Sequence, residues 1–494
     1  MQKEKNMKNN SAEKQNKKAV VDAPSVGAYL WLVGVFAIVY AVIYIALLLR
    51  VHFLTDAAAS ISKSAADMLF AFALLMLMSA LYLYVVFSRK ELLNNLKEPS
   101  ALMCIFALVV VANIFLSYLN SYAMFVGLAA LLALPFSKKR DAFVLNIFAC
   151  LISTFALIYE TDLGHYESIA FSIIAGLVGG TIGAYSFPMA MTRTTSVLRS
   201  FLTGACTIAV YMVLLCAYTL GIETFNANIM YIGISVAAQL LLASTLVPVI
   251  ESIFNITTDY RLVELTNHKA PLIRRLIVEA PGTFNHSLAV ANFAEICANA
   301  IGEDPFLARA CAYYHDIGKL NNATYFTENQ AGYNPHDELL PEVSAEIIRQ
   351  HTEDGYDLCK EHRIPEEIAR VTIEHHGTLP IMYFYNKAKT LTDGDVDIDE
   401  YRYHGDIPKG KIAAIIMICD SAEAAIRAMD NPDGERVDKL LRSMIDERIK
   451  LGQFDDCAIT MRDLTTLREA IVGSYSGLFH KRIKYNLKRG GSND

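Results

Sequence analysis

The chain has 494 residues, of which 53% are hydrophobic and only 19% charged, with a net charge of −7. A soluble protein of this size carries closer to a quarter charged residues, so a wholly soluble globule, a disordered chain and a disulfide-stapled secreted module are excluded. The small net charge argues against binding to a nucleic-acid polymer, and nine cysteines with no Cys-x-x-Cys pair argue against a thiolate zinc module.

Residues 1–26 form a polar, lysine-rich tail. Charge-free apolar runs follow at 23–49, 68–88, 101–136, 142–159, 168–192, 200–222 and 224–250. About 20 helical residues cross a hydrocarbon core of about 30 Å. The run at 101–136 would make a helix of about 54 Å, too long for one span. Its middle, Ser117-Tyr118-Leu119-Asn120-Ser121, reads as a hairpin turn, which makes about eight spans. The loops then sort by charge. Arg89, Lys90, Lys97, Lys138, Lys139, Arg140, Arg193 and Arg199 fall on the side of the basic tail. Asp56, Lys63, Glu160, Asp162, Glu167 and Glu223 fall on the other. The positive-inside rule places both termini in the cytoplasm of a multi-pass cell-membrane protein. Gly176, Gly180 and Ala184 recur at helical spacing and read as a close-packing face in the lipid bilayer.

From about Ile256 charged residues recur every few positions. Helical patterns occupy 287–301, 306–317, 341–352, 365–376, 411–429 and 434–450. Pro281-Gly282, Asn334-Pro335 and Thr392–Pro408 read as loops. The fold class is therefore all-α. A polytopic transmembrane helical bundle over 27–253 precedes a cytoplasmic helical domain over 254–480 and a basic tail over 481–494.

Ten of the twelve histidines lie in that second domain. His286, His315, His351, His375 and His376, with Asp316 and Asp420, offer the imidazole and carboxylate ligands of borderline divalent metals. Seven donors are enough for a pair of ions. In His315-Asp316-Ile317-Gly318-Lys319 the glycine can end the helix after the ligands and the lysine can reach an anionic substrate. His336, His362, His404 and His480 read as loop or surface residues.

At these residues the sequence resembles the HD phosphohydrolase superfamily, and more closely the seven-transmembrane HD family of cyclic di-AMP phosphodiesterases. The likeness runs through Phe254–Asp259, Glu279–Thr283, His315–Lys319, Glu328-Asn329-Gln330, Asn334–Asp337, His375–Thr378, Tyr383–Ala388, Arg402-Tyr403 and Asp420–Glu423. The resemblance implies an enzyme that hydrolyses cyclic di-AMP to linear pApA. His286, His315, Asp316, His351, His375, His376 and Asp420 would hold two divalent ions, manganese or iron, with Asp316 bridging and catalytic. Lys319 would contact phosphate and take part in catalysis. Tyr383, Tyr385, Arg402 and Tyr403 would bind substrate. Another HD-type nucleotide phosphohydrolase and a non-catalytic nucleotide receptor are the alternative readings, and a homodimer is left open. The sequence departs from the family in three places. The 51–67 connection is short where the family has a long extracellular domain. Asn321–Thr324 replace a basic Pro-Tyr segment. His404–Pro408 replace a Pro-rich loop, with Ile412 at a glutamate position.

Overall fold

The computed structural model describes residues 24–53, 60–93, 95–158, 166–186, 192–218, 222–392, 395–430 and 432–478. The tail expected at 481–494, most of the tail expected at 1–26, and residues 54–59 of the short connection lie outside the described residues. The chain divides into two compact units, Met1–Tyr260 and Arg261–Asp494. Helices build both units. No strand occurs among the described residues, and one isolated bridge joins Pro380 to Arg402.

The first unit contains α1 (Val26–Phe53), α2 (Ser60–Ser88), α3 (Lys97–Leu119), a short α4 (Leu128–Ala133), α5 (Lys139–Ile158), α6 (Tyr166–Tyr185), α7 (Arg193–Tyr218) and α8 (Ile222–Phe254). Among the described residues, six helices (α1, α2, α3, α6, α7 and α8) are long and apolar enough to cross a membrane. Side-chain contacts define two ends of the bundle. At one end the Tyr84 hydroxyl donates to Asp141 (2.6 Å) and accepts from Arg140 Nε (3.0 Å), and Arg89 pairs with Asp141. Lys97 Nζ reaches the Asn255 carbonyl (3.2 Å) there, and Arg193 meets Glu251 (3.4 Å). At the other end Asn120 meets Asn228 (3.4 Å), and the rings of Phe171 and Tyr218 lie 5.9 Å apart. The α3 helix leaves the first end, and residues 120–136 return to it.

The returning pass is not the helix that the apolar run predicts. Asn120 is extended, and its side chain accepts from the Tyr122 N–H (2.8 Å), which turns the chain where the sequence places a hairpin. A 3₁₀ turn, an extended stretch at Met124, the six residues of α4 and a second 3₁₀ turn through Pro135 then follow. Such backbone survives at membrane depth only when protein surrounds it. Every residue from Tyr122 to Leu134 is buried. Asn113 accepts from the Phe125 N–H (2.7 Å), and Gln239 accepts from the Gly127 N–H (3.0 Å). Ser235 donates to the Met124 carbonyl (2.9 Å), and Asn146 donates to the carbonyls of Val126 (3.0 Å) and Gly176 (3.1 Å). The glycine face of α6 permits this approach, since a Cβ on Gly180 would sit 2.5 Å from Asn146 Nδ2.

The second unit packs α9 (Asp259–Leu265), α10 (Pro271–Glu279), α11 (Pro281–Ile301), α12 (Pro305–Tyr314), α13 (Pro341–Glu361), α14 (Glu366–Ala369), α15 (Val371–Glu374), α16 (Met382–Leu391), α17 (Lys411–Arg427), α18 (Gly434–Lys450) and α19 (Met461–Leu478). The core is built around α17, whose residues Ala413–Cys419 are all buried, with α11, α12 and α19 against it. Four boundaries differ from the sequence reading, one being the 341–352 pattern, which continues as α13 to Glu361. Pro281-Gly282 opens α11 instead of forming a loop, because proline loses nothing at the first helical position. The 306–317 pattern ends as a helix at Tyr314, and the 365–376 pattern splits at Arg370 into α14 and α15.

Candidate metal centre

Five segments bring their donors together. The α11 helix carries His286, the end of α12 carries His315 and Asp316, α13 carries His351, the turn after α15 carries His375 and His376, and α17 carries Asp420. Two groups form, Asp316 with His351, His375 and His376, and His286 with His315 and Asp420. Within each group the donor atoms lie within 4.8 Å of one another. Asp316 faces both groups. Its Oδ1 is 3.4 Å from His351 Nε2 and 3.7 Å from His375 Nε2. Its Oδ2 is 3.2 Å from His315 Nε2 and 3.6 Å from His286 Nε2.

The imidazoles are aimed by their second nitrogens. The Nδ1 atoms of His315, His351 and His375 lie 2.7, 2.5 and 3.1 Å from the carbonyls of Ala312, Ile348 and Val371, which turns each Nε2 inward. His286 Nδ1 instead meets Glu423 Oε2 at 2.5 Å. The Tyr403 ring stacks on His376 at 4.2 Å between centroids. Gly318 does not end a helix here. It lies in the 3₁₀ segment Ile317–Tyr325, and a Cβ would overlap the His351 carbonyl and Gly355 of α13. Its role is to let the segment after the aspartate pack against the helix that carries His351.

Lys319 Nζ sits 2.7 Å from Asp316 Oδ2 and 3.0 Å from Glu328 Oε1. Thr283 Oγ1 also donates to Glu328, and Asn329 Oδ1 accepts from the N–H groups of Gly282 (2.9 Å) and Thr283 (3.2 Å). The described contacts of the other expected substrate residues lie elsewhere. Tyr383 is exposed and edges onto Phe384, while Tyr385 packs near Tyr401 beneath Lys389. Arg402 pairs with Asp399 (2.6 Å) and donates to the Thr378 carbonyl (3.1 Å). His336, read as a loop residue, is buried between Tyr325 and Phe384.

The electrostatics are those of a buried cluster of imidazoles and carboxylates. Burial opposes charge throughout, yet Asp420 and Glu423 keep His286 up at about 9, and Asp316 with Asp420 keeps His315 at about 10. Burial pushes His351 down to about 3, with His375 and Lys319 adding to the effect. Against burial, His315 and Lys319 hold Asp316 well below the carboxylate range, and His286 and His315 do the same for Asp420. His315 Nε2 and Asp316 Oδ1 are buried without a well-formed hydrogen bond among the described residues. Buried polar atoms of that kind call for a further partner. Inward imidazole nitrogens around a shared carboxylate fit divalent transition ions.

Residues 283–425 match the HD domain family. The second unit contains an HD domain. The HD assignment implies divalent metal binding, and the donor set described above fits it. The cyclic-di-AMP phosphodiesterase PgpH of Bacillus subtilis (strain 168) is 41% identical over 266 residues, which are 54% of this chain and 37% of that protein. PgpH of Listeria monocytogenes serotype 1/2a (strain 10403S) is 43% identical over 246 residues, 50% of this chain and 34% of that protein. The matched stretch thus spans little more than a third of each relative. The crystal structure of the L. monocytogenes PgpH HD domain in complex with cyclic-di-AMP is 43% identical, with a TM-score of 0.42. It covers 44% of this chain and 100% of that one.

Sequence reasoning left Glu423, Glu328 and Asn329 without roles. Glu423 lies three residues after Asp420, a spacing that returns to the same helical face and was the available signal.

Proposed function

We propose that the chain is a membrane-bound phosphodiesterase that opens cyclic di-AMP to linear pApA, using two manganese or iron ions in its HD domain. The observation that supports this best is Asp316, one oxygen toward each donor group, at the centre of a set of seven donors in an HD domain homologous to two cyclic-di-AMP phosphodiesterases.

When bound, a pair of divalent ions activates water and stabilises charge on attacking and phosphoryl oxygens. The chain's own residues have distinct parts. His286, His315 and Asp420 would hold one ion, and His351, His375 and His376 would hold the other, with Asp316 able to serve both. Lys319, anchored between Asp316 and Glu328, presents a fixed positive charge to the scissile phosphate. Tyr403, on the ring of His376, forms a wall of the substrate site, and Tyr383, Tyr385 and Arg402 bind the nucleotide farther out. The basic end of the first unit faces the cytoplasm, so both termini and the HD domain lie where a nucleotide second messenger is made.

The test is a panel. Purified chain with manganese is offered cyclic di-AMP, cyclic di-GMP, dNTPs and ppGpp side by side, and products are separated by chromatography. Linear pApA as the main product supports the reading. Turnover of dNTPs or ppGpp in its place would assign another HD phosphohydrolase activity.

A further inference from the structure

His286 is held differently from its neighbours. His315, His351 and His375 turn Nδ1 to backbone carbonyls of residues three or four positions back. His286 Nδ1 lies 2.5 Å from Glu423 Oε2, and its Nε2 lies 2.9 Å from Asp420 Oδ1. Asp420 and Glu423 are three positions apart on α17, so one face of one helix grips both nitrogens of this ring. Glu423 is buried, and its Oε1 accepts a hydrogen bond from Arg427 Nη2 one turn farther on. A buried carboxylate needs such a partner. A carbonyl brings a partial charge to an imidazole N–H, whereas a carboxylate brings a full one. The carboxylate therefore pulls harder on the Nδ1 proton and leaves Nε2 the better metal donor.

We propose that Glu423 is a positioning residue for the ion held by His286, His315 and Asp420, with Arg427 fixing Glu423 in turn. The inference rests on the two-ion reading of the centre and makes the two ion positions unequal. One includes a carboxylate-backed imidazole. The other relies on His351 and His375, which carbonyls back. Removing Glu423 weakens the first position by about 10–100-fold, the usual effect of losing a partner of this kind, and leaves the second nearly unchanged.

The experiment uses the full chain in detergent, stripped with a chelator and titrated with Mn²⁺. Bound metal is counted, and electron paramagnetic resonance separates a coupled ion pair from a single ion. The wild type takes up two ions with a coupled signal. At manganese levels that saturate it, Glu423→Ala holds about one ion with an uncoupled signal, and Arg427→Ala shows a smaller loss. Glu423→Gln keeps the shape without the charge, falls between, and decides the matter if Glu423→Ala does not fold. Two ions at wild-type affinity in Glu423→Gln, or equal weakening of both ions, overturns the proposal. A wild type that binds no manganese overturns the two-ion reading itself, before any substitution is made.

Discussion

Asn146 donates its side-chain amide to the carbonyl oxygen of Val126 at 3.0 Å, from one pass of the first unit to the broken pass beside it. The same amide donates to Gly176 (3.1 Å), and its oxygen accepts from the Ala130 N–H (3.3 Å). One buried side chain thus serves two backbone groups of the broken pass, Val126 and Ala130, and ties them to a carbonyl inside α6. Asn146→Leu keeps the volume and loses all three bonds. Each unsatisfied buried group costs about 1–3 kcal/mol, so the variant unfolds at a clearly lower temperature in detergent. An unchanged melting temperature would mean that the broken segment finds other partners.

The direction of that segment can be tested separately. Because 120–136 returns to the end marked by Arg89, Arg140 and Asp141, reporters fused at Ser137 and at Gly164 are expected on opposite sides of the membrane, with Ser137 cytoplasmic. Both reporters on one side would refute the eight-pass arrangement.

Gly282 lies where the first turn of α11 meets the 3₁₀ turn Thr327–Asn329. A Cβ there would overlap the carbonyl oxygen of Glu328, whose side chain holds Lys319. Gly282→Ala is expected to push that turn outward and release Lys319. The activity of the variant falls at least tenfold while its metal content stays at the wild-type level. Full activity would show that the turn moves without carrying Lys319 with it.

The seven residues that the structure gathers into two groups were legible as a set because imidazole and carboxylate are the ligand types of borderline divalent metals. His375 and His376 follow the end of α15, and Asp420 interrupts the apolar stretch in the middle of α17. The broken pass was not legible, since the run from Ala101 to Phe136 has the same apolar composition whether its second half is helical or not. Gly127 and Pro135 were visible there, but the partners that make the break stable, Asn113, Asn146, Ser235 and Gln239, come from three other passes. Gly318 was read as a helix stop because its neighbour across space, Gly355, is 37 positions away. Glu423 had no role in the sequence until its partner ring, His286, was in place.

Asp316, with one oxygen toward each donor group, is proposed to join two ions into one hydrolytic centre. The most direct measurement is linear pApA formation by chelator-stripped chain before and after manganese is returned, for the wild type and for Asp316→Ala, with bound metal counted in each. The stripped wild type is expected to be inactive and to recover with about two ions per chain. Asp316→Ala, still folded, is expected to hold fewer ions and to form no pApA at any manganese concentration. Turnover by the metal-free wild type, or full turnover by Asp316→Ala, would contradict the account.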